Sequence, residues 1–197
     1  MRRTAVCLLA AALCLGLVGC GTPAPERAAD GLDWSGGWIT VGGVVGVDTP
    51  EGMTPRENNE ALAANGMHYA TWSIGEGEPY TNADGEEATL YDAQVYLLLG
   101  GYRSEEEARD AMVQWREMAE TQYAVSEASQ GVHNGQEFQS LTYTFDTDGN
   151  PYARGASAFG VYRNYAVSVE LACREGFGGD AAGLLAQFLD NCHYAMS

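Results

Sequence analysis

Apolar and polar residues alternate along several stretches of the chain, which is the spacing typical of β-strands. The clearest case is 164–173, where Val167, Val169 and Leu171 alternate with residues such as Ser168. The same reasoning predicts strands over 38–47, 67–75, 88–99, 122–131, 136–145, 152–162 and 164–173. Because short turns join the later strands, we expect those strands to be antiparallel neighbours.

Three other stretches carry helix signals. Ser104 opens a capping box, and the apolar residues that follow are three and four positions apart, which predicts a helix over 105–121. A second helix is expected to start near Asp180, with an apolar stripe that includes Leu184 and Phe188. A capping box at Thr54 predicts a third, short helix that ends at Ala64.

These elements predict a single α+β domain over residues 34–197. Its architecture would be an antiparallel meander sheet of about six to seven strands, packed by two to three helices on one face. The length of this segment is typical of a domain with one core.

The first twenty residues have the pattern of an export signal. A basic start at Arg2 and Arg3 precedes an apolar run over 5–18, which is too short for a comfortable membrane span. The run ends in Leu-Val-Gly-Cys at Cys20 and resembles the lipobox of bacterial lipoproteins. An ordinary signal peptide that happens to contain a cysteine is the alternative interpretation.

The lipobox resemblance implies cleavage after residue 19 and lipidation of Cys20, which would anchor the protein to the membrane. Residues 20–33 contain small and polar residues with two prolines, and we interpret them as a flexible tether. The predicted organisation is therefore a signal peptide over 1–19, a lipidated tether over 20–33 and the domain over 34–197.

The order of elements over 104–192 is a helix, an antiparallel meander and a C-terminal helix. This order resembles the Mog1/PsbP-like α/β sandwich, and the resemblance implies a non-enzymatic accessory or binding module. Cystatin-like and NTF2-like curved sheets are the competing arrangements.

The charge of the chain limits which classes of partner it can bind. There are 10 basic and 27 acidic residues, a formal net charge of −17, and every basic residue is Arg. This balance argues against nucleic-acid binding and against adhesion to anionic lipid through a basic patch. We expect either a solvated acidic surface or a surface complementary to a cationic partner.

Cys173 and Cys192 are the two cysteines that remain beyond the predicted lipidation site. In an oxidising exterior they suggest one disulfide, with two buried free thiols as the alternative. A helix that runs back along the last strand would carry Cys192 away from Cys173, so the bridge requires a steep crossing or a folded-back loop.

A low-affinity calcium site is one interpretation of the loop with Asp146, Asp148 and Asn150, because it offers oxygen ligands at alternate positions. Pro151 stands where such a loop needs Gly, so a plain hairpin loop is the favoured interpretation. The acidic loop from Asn82 through Asp84 and Glu86 to Glu87 has the same two interpretations.

The sequence contains no motif of a catalytic site. His68, His133 and His193 lack a hydroxyl, thiol or carboxylate at a motif spacing, and His133 is expected at an exposed hairpin tip. Trp34 and Trp38 lie where the tether meets the domain and would either dock the tether or line a surface groove.

We therefore expect an exported, lipid-anchored protein of the cell envelope that acts as a non-catalytic accessory or binding module. It would need no cofactor, and its contacts would be the membrane through Cys20 and possible envelope proteins. An extracellular calcium- or glycan-binding domain is the alternative, and a hydrolase whose site is invisible in the sequence is a further one.

Overall fold

The structure is a computed structural model that describes residues 39–59, 67–81, 85, 87–145 and 150–194. The strands are β1 (Ile39–Val41), β2 (Val45–Val47), β3 (Thr54–Asn59), β4 (Met67–Ile74), β5 (Glu78–Thr81), β6 (Glu87–Leu90), β7 (Ala93–Gly101), β8 (Ala124–His133), β9 (Gln136–Thr144), β10 (Tyr152–Tyr162), β11 (Tyr165–Arg174) and β12 (Cys192–Tyr194). The helices of these ranges are α1 (Glu105–Gln122) and α2 (Ala181–Asp190). Neither is long and apolar enough to cross a membrane.

A seven-stranded sheet organises the domain, with the strand order β3-β4-β7-β11-β10-β9-β8. Every neighbouring pair is antiparallel. Together with the two helices and two smaller sheets, this confirms the predicted α+β class. The turn between β8 and β9 is Asn134-Gly135, and both residues have the positive φ that a two-residue hairpin favours.

Both faces of this sheet are covered, whereas the sequence predicted helices on one face only. Helix α1 packs on β10 and β11 on one face, and α2 packs on the same two strands from the other. The sheet β1-β2-β12 adds its apolar residues to the α2 side. As a result, nearly every residue of β11 is buried.

The predicted helix that begins at Thr54 is wrong. Residues Thr54–Asn59 form strand β3, which pairs with β4 and has an irregularity between Pro55 and Glu57. The capping-box pattern is a local preference, and pairing with a buried neighbouring strand overrides it. The rest of that predicted helix, 60–64, lies outside the described residues.

Glycines and turns divide two of the predicted strands. The stretch 38–47 is a hairpin, because Gly42 and Gly43 have positive φ values and turn β1 back onto β2. The stretch 88–99 is interrupted at Tyr91 and Asp92, so β6 pairs with β5 while β7 lies at the centre of the large sheet.

Helix ends follow the predicted signals closely. The hydroxyl of Ser104 accepts a hydrogen bond from the backbone N–H of Glu107 at 3.1 Å. The carboxylate of Asp180 accepts from the N–H groups of Ala182 and Gly183 at 3.3 and 3.0 Å. These bonds satisfy backbone donors that have no partner inside a helix.

Candidate functional site

A buried acid lies at the middle of β11, on the face that α1 covers. Glu170 is 8% exposed and is opposite Ser157 on β10 and Tyr96 on β7. The alternation of the strand points Glu170 to the same side as Ala166 and Ala172, while Val169 and Leu171 point to the other side. A carboxylate at such a position must be hydrogen-bonded or neutral.

Two tyrosine hydroxyls form hydrogen bonds with the Glu170 carboxylate. The hydroxyl of Tyr123, the residue that ends α1, donates to Oε1 of Glu170 at 3.3 Å. The Tyr143 hydroxyl also bonds to Glu170, and it lies 2.8 Å from Oγ of Ser157. The two tyrosine rings also stack, with centroids 4.2 Å apart. Together these contacts link the end of α1 to β9, β10 and β11.

Burial raises the pKa of Glu170 from 4.5 to about 7, and the hydrogen bonds from Tyr143 and Tyr123 limit that rise. The pKa values of both tyrosines are raised, first by burial and then by the neighbouring Glu170 charge. The tyrosines therefore remain donors, and Glu170 is the member of this cluster that titrates near neutral pH.

Polar residues continue across the sheet from this cluster toward β3. The hydroxyls of Tyr96 and Tyr152 both donate to Oε1 of Gln94, at 2.7 and 2.9 Å. Beyond them, Nε of Arg56 donates to Oγ of Ser73 at 2.7 Å. These bonds satisfy polar groups that lie on a largely covered face of the sheet.

A groove of about 510 Å³ lies on the same face, between the first half of α1 and the β8–β9 hairpin. Arg109 and Met112 line it from the helix, Gln130 from β8, Gln139 from β9 and Phe159 from β10. Its lining thus combines polar with apolar side chains, and strand β8, at the edge of the sheet, forms one side of it. It is the candidate binding site of the domain.

The three histidines lie on three different strands, β4, β8 and β12. The expectation of an exposed tip at His133 is wrong, because Nδ1 of His133 lies 2.7 Å from Oδ1 of Asp190 and its side chain is only 17% exposed. The side chain of Asn134 donates to the carbonyls of Asp190 and Cys192 at 2.6 and 2.9 Å. The hairpin tip therefore clasps the C-terminal end of α2.

His68 and His193 lie on other strands. The His68 ring packs on the backbone at Gly42, where an added Cβ would lie 2.9 Å from it. His193 pairs with Gly46 between β12 and β2.

The two cysteines of the domain are free, buried thiols in the structure, so the expected disulfide is not formed there. Burial raises the pKa of the Cys173 thiol to about 11 and raises that of Cys192 as well. The sulfur of Cys192 donates a hydrogen bond to the Phe188 carbonyl at 3.4 Å. Both thiols thus behave as core groups of low reactivity.

Eight other predicted site residues lie outside the described residues. These are Cys20, Trp34, Trp38, Asn82, Asp84, Glu86, Asp146 and Asp148. Of the calcium candidates, Asn150 is described, and its Oδ1 accepts from the N–H of Tyr152 at 2.9 Å, as in an Asx-turn. Within the described ranges, no three His, Cys, Asp or Glu residues are grouped to hold a metal ion.

Sequence reasoning missed Glu170 as a candidate. The signal was present in the alternation, because a lone acid stands among apolar residues on both sides of a strand that otherwise contains only one other charge, Arg174. We expected helices on one face of the sheet only, so the layer that buries Glu170 on the other face was not predicted.

No known protein-family profile and no curated protein matches the chain. A crystal structure from Bacteroides thetaiotaomicron VPI-5482 is similar at 11% identity and a TM-score of 0.48, over 79% of this chain and 47% of that one. The cyanobacterial PsbP protein of Synechocystis sp. PCC 6803 is similar at 10% and 0.40, over 75% and 95% of the two chains. The extracellular domain of PknH from Mycobacterium tuberculosis is similar at 10% and 0.41, over 71% and 84%. The chain thus spans less than half of the Bacteroides structure.

Proposed function

We propose that this chain is an exported lipoprotein, anchored to the membrane through Cys20, whose domain is a non-catalytic module that binds an envelope protein. The N-terminal residues support the anchor, since the basic start, the apolar run and the Leu-Val-Gly-Cys ending occur in the order of a lipoprotein signal.

The observation that carries the binding role is the groove between α1 and the β8–β9 hairpin. It is built from a helix and a hairpin, and strand β8 at the edge of the sheet forms one side of it, where a protein segment has access. The Glu170 cluster, by contrast, is buried and its hydrogen-bond partners belong to the core, so we assign it to the stability of the domain.

Crosslinking in intact cells, followed by affinity purification and mass spectrometry, tests this proposal. We expect one stoichiometric envelope partner with the native chain, and its loss when residues 34–197 are replaced by an unrelated domain. Absence of any partner above background would contradict the binding role.

Two cysteine variants test the anchor separately. Cys20→Ser removes the lipidation site and is expected to release the protein from the membrane fraction. Cys14→Ser changes a cysteine of the apolar run and leaves Cys20 in place, so this control should stay membrane-bound. Equal fractionation of the two variants would overturn the lipid anchor.

A further inference from the structure

Strand β8 forms one edge of the seven-stranded sheet, and within the described ranges it pairs only with β9. Its residues are exposed along almost the whole length of the strand. A long edge with free N–H and C=O groups is a template on which another extended segment adds by backbone hydrogen bonds.

The hairpin register identifies the free backbone groups. The two-residue turn makes His133 and Gln136 a hydrogen-bonded pair, and bonded and non-bonded pairs alternate from there along β8 and β9. The N–H and C=O groups of Ala128, Gln130 and Val132 therefore point away from β9, toward the open side of the sheet.

The two edges of the sheet differ in how they are protected. The edge strand β3 contains Pro55, and Arg56 is displaced at an irregularity beside it. On β8, the corresponding irregularity lies at Ser126, next to the one charge of the strand, Glu127. Residues 128–132 of β8 have no proline, no charge and no irregularity, and so lack the usual devices that block edge pairing.

The open part of β8 coincides with the groove. Gln130 and Val132 line the groove, and Val132 is 65% exposed. Alternate side chains of an added strand would point to the α1 face of the sheet and reach the mouth of the groove. Backbone bonds would supply affinity, and the groove would select the side chains.

The charges near this edge favour a cationic segment. Glu137 lies opposite Val132 on the neighbouring strand, and neither Glu137 nor Glu127 forms an ion pair with another described residue. Arg109, the arginine that lines the groove, is already paired with Glu105, and Arg116 on the same helix is paired with Glu120. With a net charge of −17 over the chain, a second copy would also be repelled.

We infer that the edge of β8 from Ala128 to Val132 binds an extended, cationic peptide segment of a partner protein, which adds as an eighth strand and places alternate side chains at the groove. This inference rests on the proposed binding function and specifies the chemistry of the partner.

The test uses the full-length lipoprotein in neutral detergent and a labelled nine-residue peptide of alternating Arg and Val. We expect binding that weakens at high salt, together with slowed hydrogen exchange of the amides of Ala128, Gln130 and Val132. A peptide with Glu in place of Arg is the charge control and should not bind.

A pair of variants at one position tests the strand addition. Gln130→Pro removes an outward N–H and leaves the pairing with β9 in place, so we expect a native-like melting temperature and about tenfold weaker binding. Gln130→Thr keeps the N–H, so it should bind more tightly than Gln130→Pro, and any loss that remains relative to the native chain measures what the Gln130 side chain contributes to the groove.

Equal binding by both variants, equal binding of the Glu peptide, or no protection of β8 amides would each overturn the inference. A dimer that Gln130→Pro dissociates would also overturn it, in favour of a second copy. If the partner crosslinked in cells is retained by Gln130→Pro, the proposed function stands and the edge inference fails. If the native chain captures no partner in cells, the proposed function fails whatever the peptide does.

Discussion

The two faces of β11 are both buried, but they are filled in different ways. Toward α2 the strand presents Val167, Val169 and Leu171, which join one continuous apolar core. Toward α1 it presents small residues and Glu170, and the space above them is filled by tyrosines that donate to the carboxylate. One strand therefore contributes to a dry core and to a hydrogen-bonded one.

This difference separates two properties of the domain. The dry face contributes to stability through apolar area removed from water, which hardly depends on pH. The polar face contributes through bonds whose strength depends on the charge of Glu170. Substitutions on the two faces should therefore change the free energy of unfolding by different amounts and with a different dependence on pH.

The largest effect is expected on the dry face, from Phe188→Ala. Phe188 is fully buried, and its ring meets Trp72 edge-on with centroids 4.8 Å apart. The cavity left by the ring should lower the free energy of unfolding by about 3 to 5 kcal/mol, equally at all pH values where the domain is folded. Urea denaturation across a pH series measures this.

Val113→Ala is the matched control, because Val113 is on α1 and is 42% exposed. Its cost should stay below about 1 kcal/mol. A strongly pH-dependent loss for Phe188→Ala would contradict the assignment of that face.

The second effect concerns the pH dependence of the polar face. The pKa of Glu170 is raised from 4.5 to about 7 by folding, so its stabilising contribution is complete below pH 4.5 and is lost as the pH rises through 7. The native domain should lose about 3 kcal/mol over that interval through this group. Glu170→Gln should remove this decline and be the more stable form above pH 7.

Glu137→Gln provides the comparison, since it removes an exposed carboxylate from the same sheet. The slope of stability against pH should stay native in this variant. An unchanged slope in Glu170→Gln would show that the buried acid is not the titrating group.

The smallest losses of stability are expected when the hydroxyl of Tyr143 or of Tyr123 is removed, and the two losses should differ. Tyr143→Phe removes a donor to Glu170 and leaves Ser157 without that partner, so above pH 7 it should cost about 1 to 3 kcal/mol. Tyr123→Phe removes a single bond of 3.3 Å, at the long end of the hydrogen-bond range, and should cost about 1 kcal/mol or less. Both losses should shrink as the pH falls through 7, where Glu170 of the folded domain becomes protonated, and a loss that is independent of pH would argue against these bonds.

Much of the sheet could be predicted because the local sequence pattern of its strands indicates a strand. The predicted strand over 152–162 matches β10, and the predicted helix over 105–121 matches α1 to within one residue. In both cases the apolar spacing, the turn residues and the caps indicate the same element, and consistent local signals are seldom overridden.

The failures have a common physical cause, which is tertiary context. The capping box at Thr54 is a valid local signal, but pairing with β4 outweighs it. The burial of Glu170 was not predicted, because alternation alone does not reveal whether a second layer covers the other face. The clasp between His133 and Asp190 joins residues 57 positions apart, which no local pattern encodes.

The pairing of β12 with β2 affects when the domain can complete its folding. Cys192 lies opposite Val47, so the small sheet joins the start of the described domain to its last few residues. In the export that we propose, the N-terminus crosses first, so this sheet cannot be completed until those residues have also crossed. Closure of the domain would then fall at the end of translocation, and the polypeptide would stay extended while it is in transit.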